Sequence, residues 1–430
     1  MLHLWTLGNT PPPPIHKLLF VGKDKKLQQP ADGTLELADA YVVNVPGNIE
    51  YVSANEESYR EGVMWISKGK LFGLGYNAYG GLGIDTLVDA LTPTQESLGK
   101  SDWVQVICGT TASMAMDENG KVWTCGRDNY GQLGLDPANY KVFTELPGTW
   151  ESMFMNWPST NIHVQNSSGE VWVAGYDLFT LGVVEDDPAV AVATRDVLVP
   201  INAGVTWQKV SRRNDASIGL ATDGKIYSCG ENFFGKLGRE LDQATSHILG
   251  QIGTATNWVD VEAGADNLYA LNSAGELWGS GDSLTLNMGV DEDAIDPMVL
   301  ITTNVEKFAV GHRGSEFHNL AMIKTDGTLW GIGTNRDLVL GFSGGDTTTL
   351  TQIGTANNWT DLKMGWRESI LSLKNSDDEL WIVPSSSSSR PTGLLNTGLS
   401  QVICPIPGFE IVDYYPTGQT SGVYHARPIP

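Results

Sequence analysis

The sequence predicts an all-β fold in which four-stranded units repeat radially around an axis. Three observations predict it: an internal period of about fifty residues, tight-turn signals between short apolar segments, and no sustained helical period. Glycine occupies 49 of 430 positions, which is too frequent for long helices. Radial repetition protects the edges of successive sheets without requiring a closed barrel.

Each repeat is anchored by an aromatic residue that lies three residues before a glycine. The seven anchors are Phe72, Trp123, Trp172, Tyr227, Trp278, Trp330 and Trp381. The glycine is present in six copies, as Gly75, Gly126, Gly175, Gly230, Gly281 and Gly333, and Pro384 takes its place in the seventh. A further glycine lies three residues before most anchors, in pairs such as Asn119-Gly120 that favour tight hairpin turns.

The repeats resemble those of the regulator of chromosome condensation family. The segments that carry the resemblance include KVWTCGRDNYGQLG (121–134) and KIYSCGENFFGKLG (225–238), and the resemblance extends over roughly residues 47–383. In that family the repeats form a seven-bladed β-propeller, so the same fold is expected here. The pattern is specific for fold but not for function, because the family includes nucleotide-exchange factors, light sensors and ligase-associated domains.

The two ends of the chain leave the number of blades open. Residues 2–10 look like an orphan anchor strand, and residues 399–415 resemble the start of a unit. Seven blades are expected, and eight blades with one split between the termini are the alternative. The expected organisation is an N-terminal strand and Pro-rich arm (1–46), propeller repeats (47–398) and a closing segment with a tail (399–430). Pro11–Pro14 predicts a stiff spacer, so residues 11–46 are expected to leave the ring and dock on a neighbour.

The glycine-rich motif is predicted to serve tight turns and blade packing. A phosphate loop would occur once, before a helix, with Lys-Ser or Lys-Thr after its last glycine, whereas this motif recurs between strands. His312 and His318 flank an insertion that is expected to be a solvated loop, and no histidine has a metal-ligand spacing. The chain is therefore expected to be a non-enzyme without metal or cofactor.

Charge limits the class of partner. The chain has 27 Lys and Arg against 50 Asp and Glu, a net charge of −23, which disfavours nucleic acid and anionic membranes. No residues for nucleotide exchange can be matched to a family motif. A secretory signal and a membrane span are not expected, so the predicted location is a virion or the cytoplasm. The four cysteines are expected to be reduced and buried, although Cys108 and Cys125 share a unit and could lie near each other.

Carboxylates after the last glycine of each motif predict an acidic rim on one face of the ring. A solvated face is the simpler interpretation, and the sharper hypothesis is a site for a basic partner or for Ca²⁺. The rim comprises Asp85, Asp136, Glu185, Asp186, Asp187, Glu240, Asp242, Asp291, Glu292, Asp293, Asp296 and Asp346, with Asp89 beside them.

The predicted function is a non-enzymatic scaffold for protein–protein interaction, as a structural, assembly or receptor-facing component of a tailed-phage virion. Its expected partners are virion or surface proteins that contact the N-terminal arm and the loop rims, and a homo-oligomer is a further expectation. A regulator that binds a small GTPase and a glycan-binding or glycan-cleaving propeller are the alternatives. Aromatic residues follow the anchor glycines and are expected to be wedged mainly between blades. They are Tyr79, Tyr130, Phe179, Phe233 and Phe234.

Overall fold

The structure is a computed structural model, and its description covers most of the chain between residues 15 and 428. The described ranges are 15–21, 27–28, 35–37, 41–46, 48–54, 62–136, 138–155, 161–176, 194–201, 204–213, 216–239, 245–282, 294–312, 318–335, 340–341, 347–364, 371–383, 400–403, 409–416 and 422–428.

The described elements are almost entirely β-strands, which confirms the all-β prediction. The first group is β1 (Ile15–Val21), β2 (Leu27–Gln28), β3 (Leu35–Leu37), β4 (Tyr41–Pro46), β5 (Tyr51–Ala54), β6 (Gly62–Ser67), β7 (Lys70–Gly75), β8 (Ala90–Gln95), β9 (Trp103–Cys108), β10 (Ala112–Asp117), β11 (Val122–Gly126) and β12 (Tyr140–Glu145). The second is β13 (Ser152–Met155), β14 (Asn161–Gln165), β15 (Val171–Tyr176), β16 (Thr194–Ile201), β17 (Trp207–Arg213), β18 (Ala216–Ala221), β19 (Ile226–Glu231), a 3-10 turn (Phe233–Gly235), β20 (Thr245–Gln251), β21 (Trp258–Ala263) and β22 (Asn267–Asn272). The third is β23 (Leu277–Asp282), β24 (Ala294–Thr302), β25 (Val305–His312), β26 (His318–Lys324), β27 (Leu329–Gly333), β28 (Thr347–Gln352), β29 (Trp359–Met364), β30 (Leu371–Asn375), β31 (Leu380–Ile382), β32 (Ser400–Ile403), β33 (Phe409–Pro416) and β34 (Gly422–Pro428).

Each of the seven repeats forms one sheet of strands in chain order, and we name these sheets blades 1 to 7. Blades 1 to 6 are four-stranded antiparallel sheets made of β5–β8, β9–β12, β13–β16, β17–β20, β21–β24 and β25–β28. Blade 7 consists of β29–β32, and its sheet is extended to six strands because β3 pairs in parallel with β32 and carries β2 beside it. First strands of several neighbouring blades contact each other, which is the arrangement of a β-propeller.

The two ends of the chain share an eighth sheet, the terminal sheet, with the strand order β33-β34-β1-β4. Leu18 and Val45 of this sheet are buried against Val52, Val63 and Trp65 of blade 1. The strand β33 contacts β5 of blade 1 and also β31 and β32 of blade 7. The terminal sheet therefore lies between the last and the first repeat, while the number of blades that close the ring stays a prediction.

This sheet corrects two expectations about the ends. Ile15–Val21 and Tyr41–Pro46 pair with each other, so these two segments of the expected arm belong to the terminal sheet. The reason is that Leu18 and Val45 bury their side chains on blade 1. Ser400–Ile403 is the last strand of blade 7, and the terminal sheet begins at Phe409. Residues 2–10 lie outside the described ranges.

Apolar clusters between consecutive blades form the core. One cluster joins Met64, Ile66 and Leu71 of blade 1 to Trp103 and Val106 of blade 2. Comparable clusters join blades 2 and 3, 3 and 4, 4 and 5, 5 and 6, and 6 and 7. Burial of each aliphatic or aromatic side chain contributes about 2 kcal/mol to the stability of the fold. Because these clusters bridge consecutive blades, each blade is stabilised mainly by packing against its neighbours.

The strand order gives the ring two chemically different faces. Turns between second and third strands, such as the one at Asn119-Gly120, lie on what we call the hairpin face. Segments between third and fourth strands, such as residues 127–139, lie on the loop face. In blades 1 to 6 the third strand runs from the hairpin face to the loop face, where it ends near an anchor glycine.

Most anchor residues pack against the aromatic residue that opens the first strand of the same blade. The Trp103 and Trp123 rings meet edge to face, with centroids 5.9 Å apart. This geometry is favoured by the aromatic quadrupole. The corresponding pairs in four other blades are Trp150–Trp172, Trp207–Tyr227, Trp258–Trp278 and Trp359–Trp381.

Candidate interaction surface

The anchor glycines turn the chain from the third strand into the loop face. Gly126 has a φ of 112°, and a Cβ atom there would lie 2.3 Å from the carbonyl oxygen of Thr111. Only glycine avoids both the strained dihedral and the overlap. All six anchor glycines have φ between 102° and 128°: Gly75, Gly126, Gly175, Gly230, Gly281 and Gly333. The positive φ agrees with the predicted role in turns at all six positions, and close packing is seen at Gly126 and Gly281.

A polar residue two positions after the glycine organises the loop. The Leu133 backbone N–H donates to Asp128 Oδ1 at 2.8 Å, and a leucine five residues after Asn77, Asn232 or Asn335 makes the same bond. Each of these leucines is buried in the core. Because the loop amide binds this side chain, the motif is a self-capped turn rather than an open phosphate cradle. Sequence reasoning missed this role, although the recurrent Asn or Asp was a visible signal.

Five side chains on the loop face form what we call the aromatic arc: Tyr76, Tyr79, Arg127, Tyr130 and Tyr176. The Tyr76 and Tyr79 ring centroids are 6.1 Å apart, and the Arg127 guanidinium lies 5.1 Å from the Tyr79 ring. The Tyr130 and Tyr176 centroids are 5.2 Å apart. The arc therefore consists of two groups, one of Tyr76, Tyr79 and Arg127 across blades 1 and 2 and one of Tyr130 and Tyr176 across blades 2 and 3. Tyr130 is exposed and the other four side chains are half-buried.

Blade 4 presents two more aromatic residues on the same face. Phe233 and Phe234 are 53% and 44% exposed, and Tyr130 in the arc is 39% exposed. The expectation that these rings are wedged between blades is wrong, because the self-capped turn directs Leu237 and Leu133 into the core instead. Phe234 has a φ of 60°, a strained conformation for a bulky residue. Phe179 lies outside the described ranges.

Only part of the acidic rim falls on described side chains. Asp85 is exposed and forms an ion pair with Lys141 at 3.2 Å, and Asp136 is exposed. Asp89 accepts the backbone N–H of Asn77, so it helps to fold its own loop. Asp296 lies in β24, and its side chain is outside the description. The remaining rim residues lie outside the described ranges: Glu185, Asp186, Asp187, Glu240, Asp242, Asp291, Glu292, Asp293 and Asp346.

The hairpin face of blade 2 holds a charged network that supports the fold. Lys100 Nζ lies 3.2 Å from Asp102 Oδ2 and 3.1 Å from Asp117 Oδ2, and 4.8 Å from the centroid of the Trp123 ring. Burial raises the pKa of Asp117, but hydrogen bonds from Lys100, the Lys121 backbone and the Trp123 indole outweigh it and hold the pKa below its usual value. Burial lowers the pKa of Lys100, and the two carboxylates more than reverse this effect.

Other candidate groups are built into the interior. His163 is buried against Phe154, and burial together with the charge of Arg212 lowers its pKa to about 3. Within the described ranges, no three His, Cys, Asp or Glu residues are grouped to hold a metal ion. His312 ends β25 and His318 begins β26, and the two are cross-strand partners, while residues 313–317 lie outside the described ranges.

The cysteines agree with the expectation wherever they are described. Cys108, Cys125 and Cys229 are buried thiols outside any disulfide bond, and Cys404 lies outside the described ranges. Burial and the neighbouring Cys108 raise the pKa of the Cys125 thiol, which places these two cysteines near each other as the shared unit suggested. Among the described residues, no helix is long and apolar enough to cross a membrane.

Comparisons with known proteins agree with this architecture. Residues 68–116 match the family model of the regulator of chromosome condensation (RCC1) repeat, and residues 103–132 match a second model of that repeat. The ultraviolet-B receptor UVR8 of Arabidopsis thaliana is 28% identical over 142 residues, which cover 32% of this chain and 31% of the receptor. The regulator of chromosome condensation of Mus musculus is 25% identical over 307 residues, 64% of this chain and 70% of that protein.

A solved structure shows the same fold. Yeast RCC1 (Prp20), crystallised bound to Kap60, has a TM-score of 0.59 at 14% identity, with 84% of this chain and 89% of that chain covered. Successive four-stranded blades with a shared anchor motif define a repeat β-propeller. Residues 68–132 therefore carry RCC1-type repeats, and the described part of the chain has an RCC1-like β-propeller fold.

Proposed function

We propose that this protein is a non-enzymatic interaction propeller that docks protein partners on its loop face. The observation that carries the proposal is the exposed aromatic set on that face: the aromatic arc together with Phe233 and Phe234. Tyrosine and arginine are enriched at the energetic centres of protein interfaces. An ordinary surface carries such residues singly, whereas here they recur at equivalent loop positions.

The loops that carry these rings favour binding energetically. Self-capping bonds such as Leu133 N–H to Asp128, and glycine turns such as Gly126, hold each loop in one conformation. A preorganised surface loses less conformational entropy on binding than a flexible one. Net charge supports a protein partner over nucleic acid, since −23 opposes a phosphate backbone.

The finer form of the proposal is that the partner is another component of a tailed-phage virion. Its support is the Asn-, Thr- and Ser-rich, Lys-poor character of the repeats. A regulator that binds a small GTPase is the second candidate. It is favoured by similarity to the mouse regulator of chromosome condensation over 64% of this chain. A glycan-directed propeller has no specific support among the described residues.

The test is affinity capture from the native source on immobilised full-length chain. Four forms are compared: wild type, Tyr130→Ser, Phe233→Ser, and a Leu91→Ser control that removes a residue 84% exposed on the outer strand of blade 1. We expect a protein that wild type and Leu91→Ser retain, and that both loop-face variants lose. A captured set that is the same for all four forms would contradict the proposal.

The identity of the captured protein separates the two candidates. A virion component supports the assembly role. A small GTPase supports the regulator role, and faster release of fluorescent GDP from that GTPase on addition of the full chain would establish it. Binding without any change in the release rate would argue against nucleotide exchange.

A further inference from the structure

We propose that Asp128 makes the blade 2 loop (127–136) pH-sensitive: its protonated form holds the loop closed and so favours docking of a partner on the aromatic arc. The inference rests on the proposed function, because it takes the arc as a docking surface. It adds a means by which pH regulates that surface.

The equivalent loop of blade 1 shows which hydrogen bonds Asp128 lacks. Asn77 Oδ1 accepts the Leu82 backbone N–H at 3.0 Å, and Asn77 Nδ2 donates to two carbonyl oxygens of its own loop at 2.8 and 3.2 Å. Asp128 Oδ1 accepts the Leu133 backbone N–H in the same way, at 2.8 Å. The second carboxylate oxygen, Oδ2, therefore takes the place of a donor nitrogen, and when ionised it cannot donate.

This oxygen is buried without a partner. Asp128 is 4% exposed, and among the described residues its Oδ2 atom has no hydrogen-bond partner. An ionised carboxylate buried in this way is destabilised, because water no longer solvates its charge. Protonation removes that charge and supplies an O–H group in the position where Asn77 has its donor. The closed loop therefore favours the protonated form of Asp128.

The charged groups near Asp128 do not reverse this preference. Burial raises the pKa of Asp128, and the backbone N–H groups of Leu133 and Ala138 offset only part of the rise. The charge of Asp196, in β16 of blade 3, raises the pKa further. Arg127, the preceding residue, directs its guanidinium onto a tyrosine ring of blade 1 rather than onto this carboxylate.

The direction of the pH dependence follows from the raised pKa. Opening of the loop returns Asp128 to water, where its pKa is close to the ordinary value of 3.8. The preference for the closed loop is therefore fully present below pH 3.8 and is lost as pH rises through the higher pKa of the closed loop. Near neutral pH, the ionised carboxylate makes local opening more frequent.

The same loop carries two residues of the aromatic arc. Arg127 contacts the Tyr79 ring of blade 1, and Tyr130 packs beside Tyr176 of blade 3. Opening of the loop separates both contacts, so a partner that binds the arc binds the closed loop better than the open one. Because such a partner gains affinity when the closed form is more populated, docking is expected to be stronger in mild acid.

The first test is hydrogen exchange of the full-length chain without a partner, at pH 4.5 and 7, corrected for the intrinsic exchange rates. We expect the segment that contains the Leu133 amide to exchange at least about threefold faster at pH 7 than at pH 4.5. The Leu82 segment of blade 1 is the internal control and should exchange equally at both. Asp128→Asn should remove the difference, and Asn77→Asp should transfer it to the Leu82 segment.

The second test compares wild type with Asp128→Asn in the capture experiment, both at the same pH, so that titration of the captured protein affects the two forms alike. At pH 7, wild type should retain at least about twofold less of that protein than Asp128→Asn does. At pH 4.5 the two forms should retain nearly equal amounts, because Asp128 is then mostly protonated.

Several outcomes would overturn the inference. Equal corrected exchange of the Leu133 segment at the two pH values, or a difference that persists in Asp128→Asn, contradicts the pH-sensitive loop. Equal retention by wild type and Asp128→Asn at pH 7 contradicts its link to docking. In each of these cases the proposed function stands if Tyr130→Ser still loses the captured protein. If no protein is captured, the proposed function fails and the link to docking fails with it.

Discussion

The hairpin and loop ends of the same blades use aromatic residues for opposite purposes. At the hairpin end of blade 2, Trp103 is 1% exposed and packs edge to face on Trp123. At the loop end of the same blade, Tyr130 is 39% exposed and packs beside Tyr176 of blade 3. Trp103 begins β9, and its ring is buried in the core between blades 1 and 2. The ring of Tyr130 points outward from the loop whose Leu133 amide binds Asp128.

Whether an aromatic residue stabilises the fold or is available for binding therefore depends more on its position within the repeat than on its residue type. Substitutions of buried rings at the hairpin end should lower the free energy of unfolding, and substitutions of exposed rings on the loop face should weaken association. The four predictions that follow test the stability of the hairpin end and of the loops that hold the exposed rings, beginning with the largest expected effect.

Trp103→Ala should lower the free energy of unfolding by about 4 kcal/mol, because it leaves a cavity in the core between blades 1 and 2. Tyr130→Ala should lower it by about 1 kcal/mol, since its ring is 39% exposed and leaves no cavity in a core between blades. Urea titration followed by tryptophan fluorescence and circular dichroism measures both. An equal decrease in the free energy of unfolding for the two variants would contradict the different roles of the two rings.

Gly126→Ala should lower the free energy of unfolding by about 3 kcal/mol, since it combines a left-handed φ with a Cβ overlap on the backbone of Thr111. Gly99→Ala is the matched control, because Gly99 has a φ of 69° and open space around it. That control should lose only about 1 kcal/mol. Thermal and urea unfolding of the two variants give the comparison, and similar values would show that the overlap relaxes freely.

Lys100→Met should lower the free energy of unfolding at neutral pH by about 2 kcal/mol, because it leaves Asp117 buried without its cation. In the wild type, Asp117 contributes stability that is fully present above its ordinary pKa of 3.8 and is lost as pH falls through the lower folded value. The variant should show less of this acid loss. Urea titrations between pH 2 and 7 test both points, with the exposed Lys225→Met as a control that should change little.

Asp128→Asn should raise the free energy of unfolding at pH 7 by about 1 kcal/mol, the smallest effect expected here. Burial raises the pKa of Asp128, and equivalent loops in three other blades use Asn77, Asn232 and Asn335. The folded state therefore binds the proton more tightly, so stability is greatest below pH 3.8 and falls as pH rises through the folded pKa. A variant that keeps this pH dependence would show that Asp128 does not cause it.

Sequence periodicity was sufficient to predict the blades, because the same turn and the same packing require the same residue types in each repeat. A glycine recurs before the loop because the backbone there adopts a positive φ, as at Gly75 and Gly281. The terminal sheet was harder to predict, since β1 pairs with β34 across nearly the whole chain and Ile15–Val21 has no anchor glycine. The periodicity showed that an aromatic residue recurs at Tyr130 and Phe233, but not whether its ring points into the core or outward. That orientation depends on the hydrogen bond between the capping Asp or Asn and the backbone amide of the buried leucine.

The loop face as a docking surface is tested most directly by hydroxyl-radical footprinting of the full-length chain, alone and with the protein it captures. We expect binding to protect Tyr79, Tyr130, Phe233 and Phe234 on the loop face, while exposed Leu91 on the outer strand keeps its reactivity. Protection confined to the outer strands or to the hairpin face, with the loop-face rings still fully reactive, would contradict it.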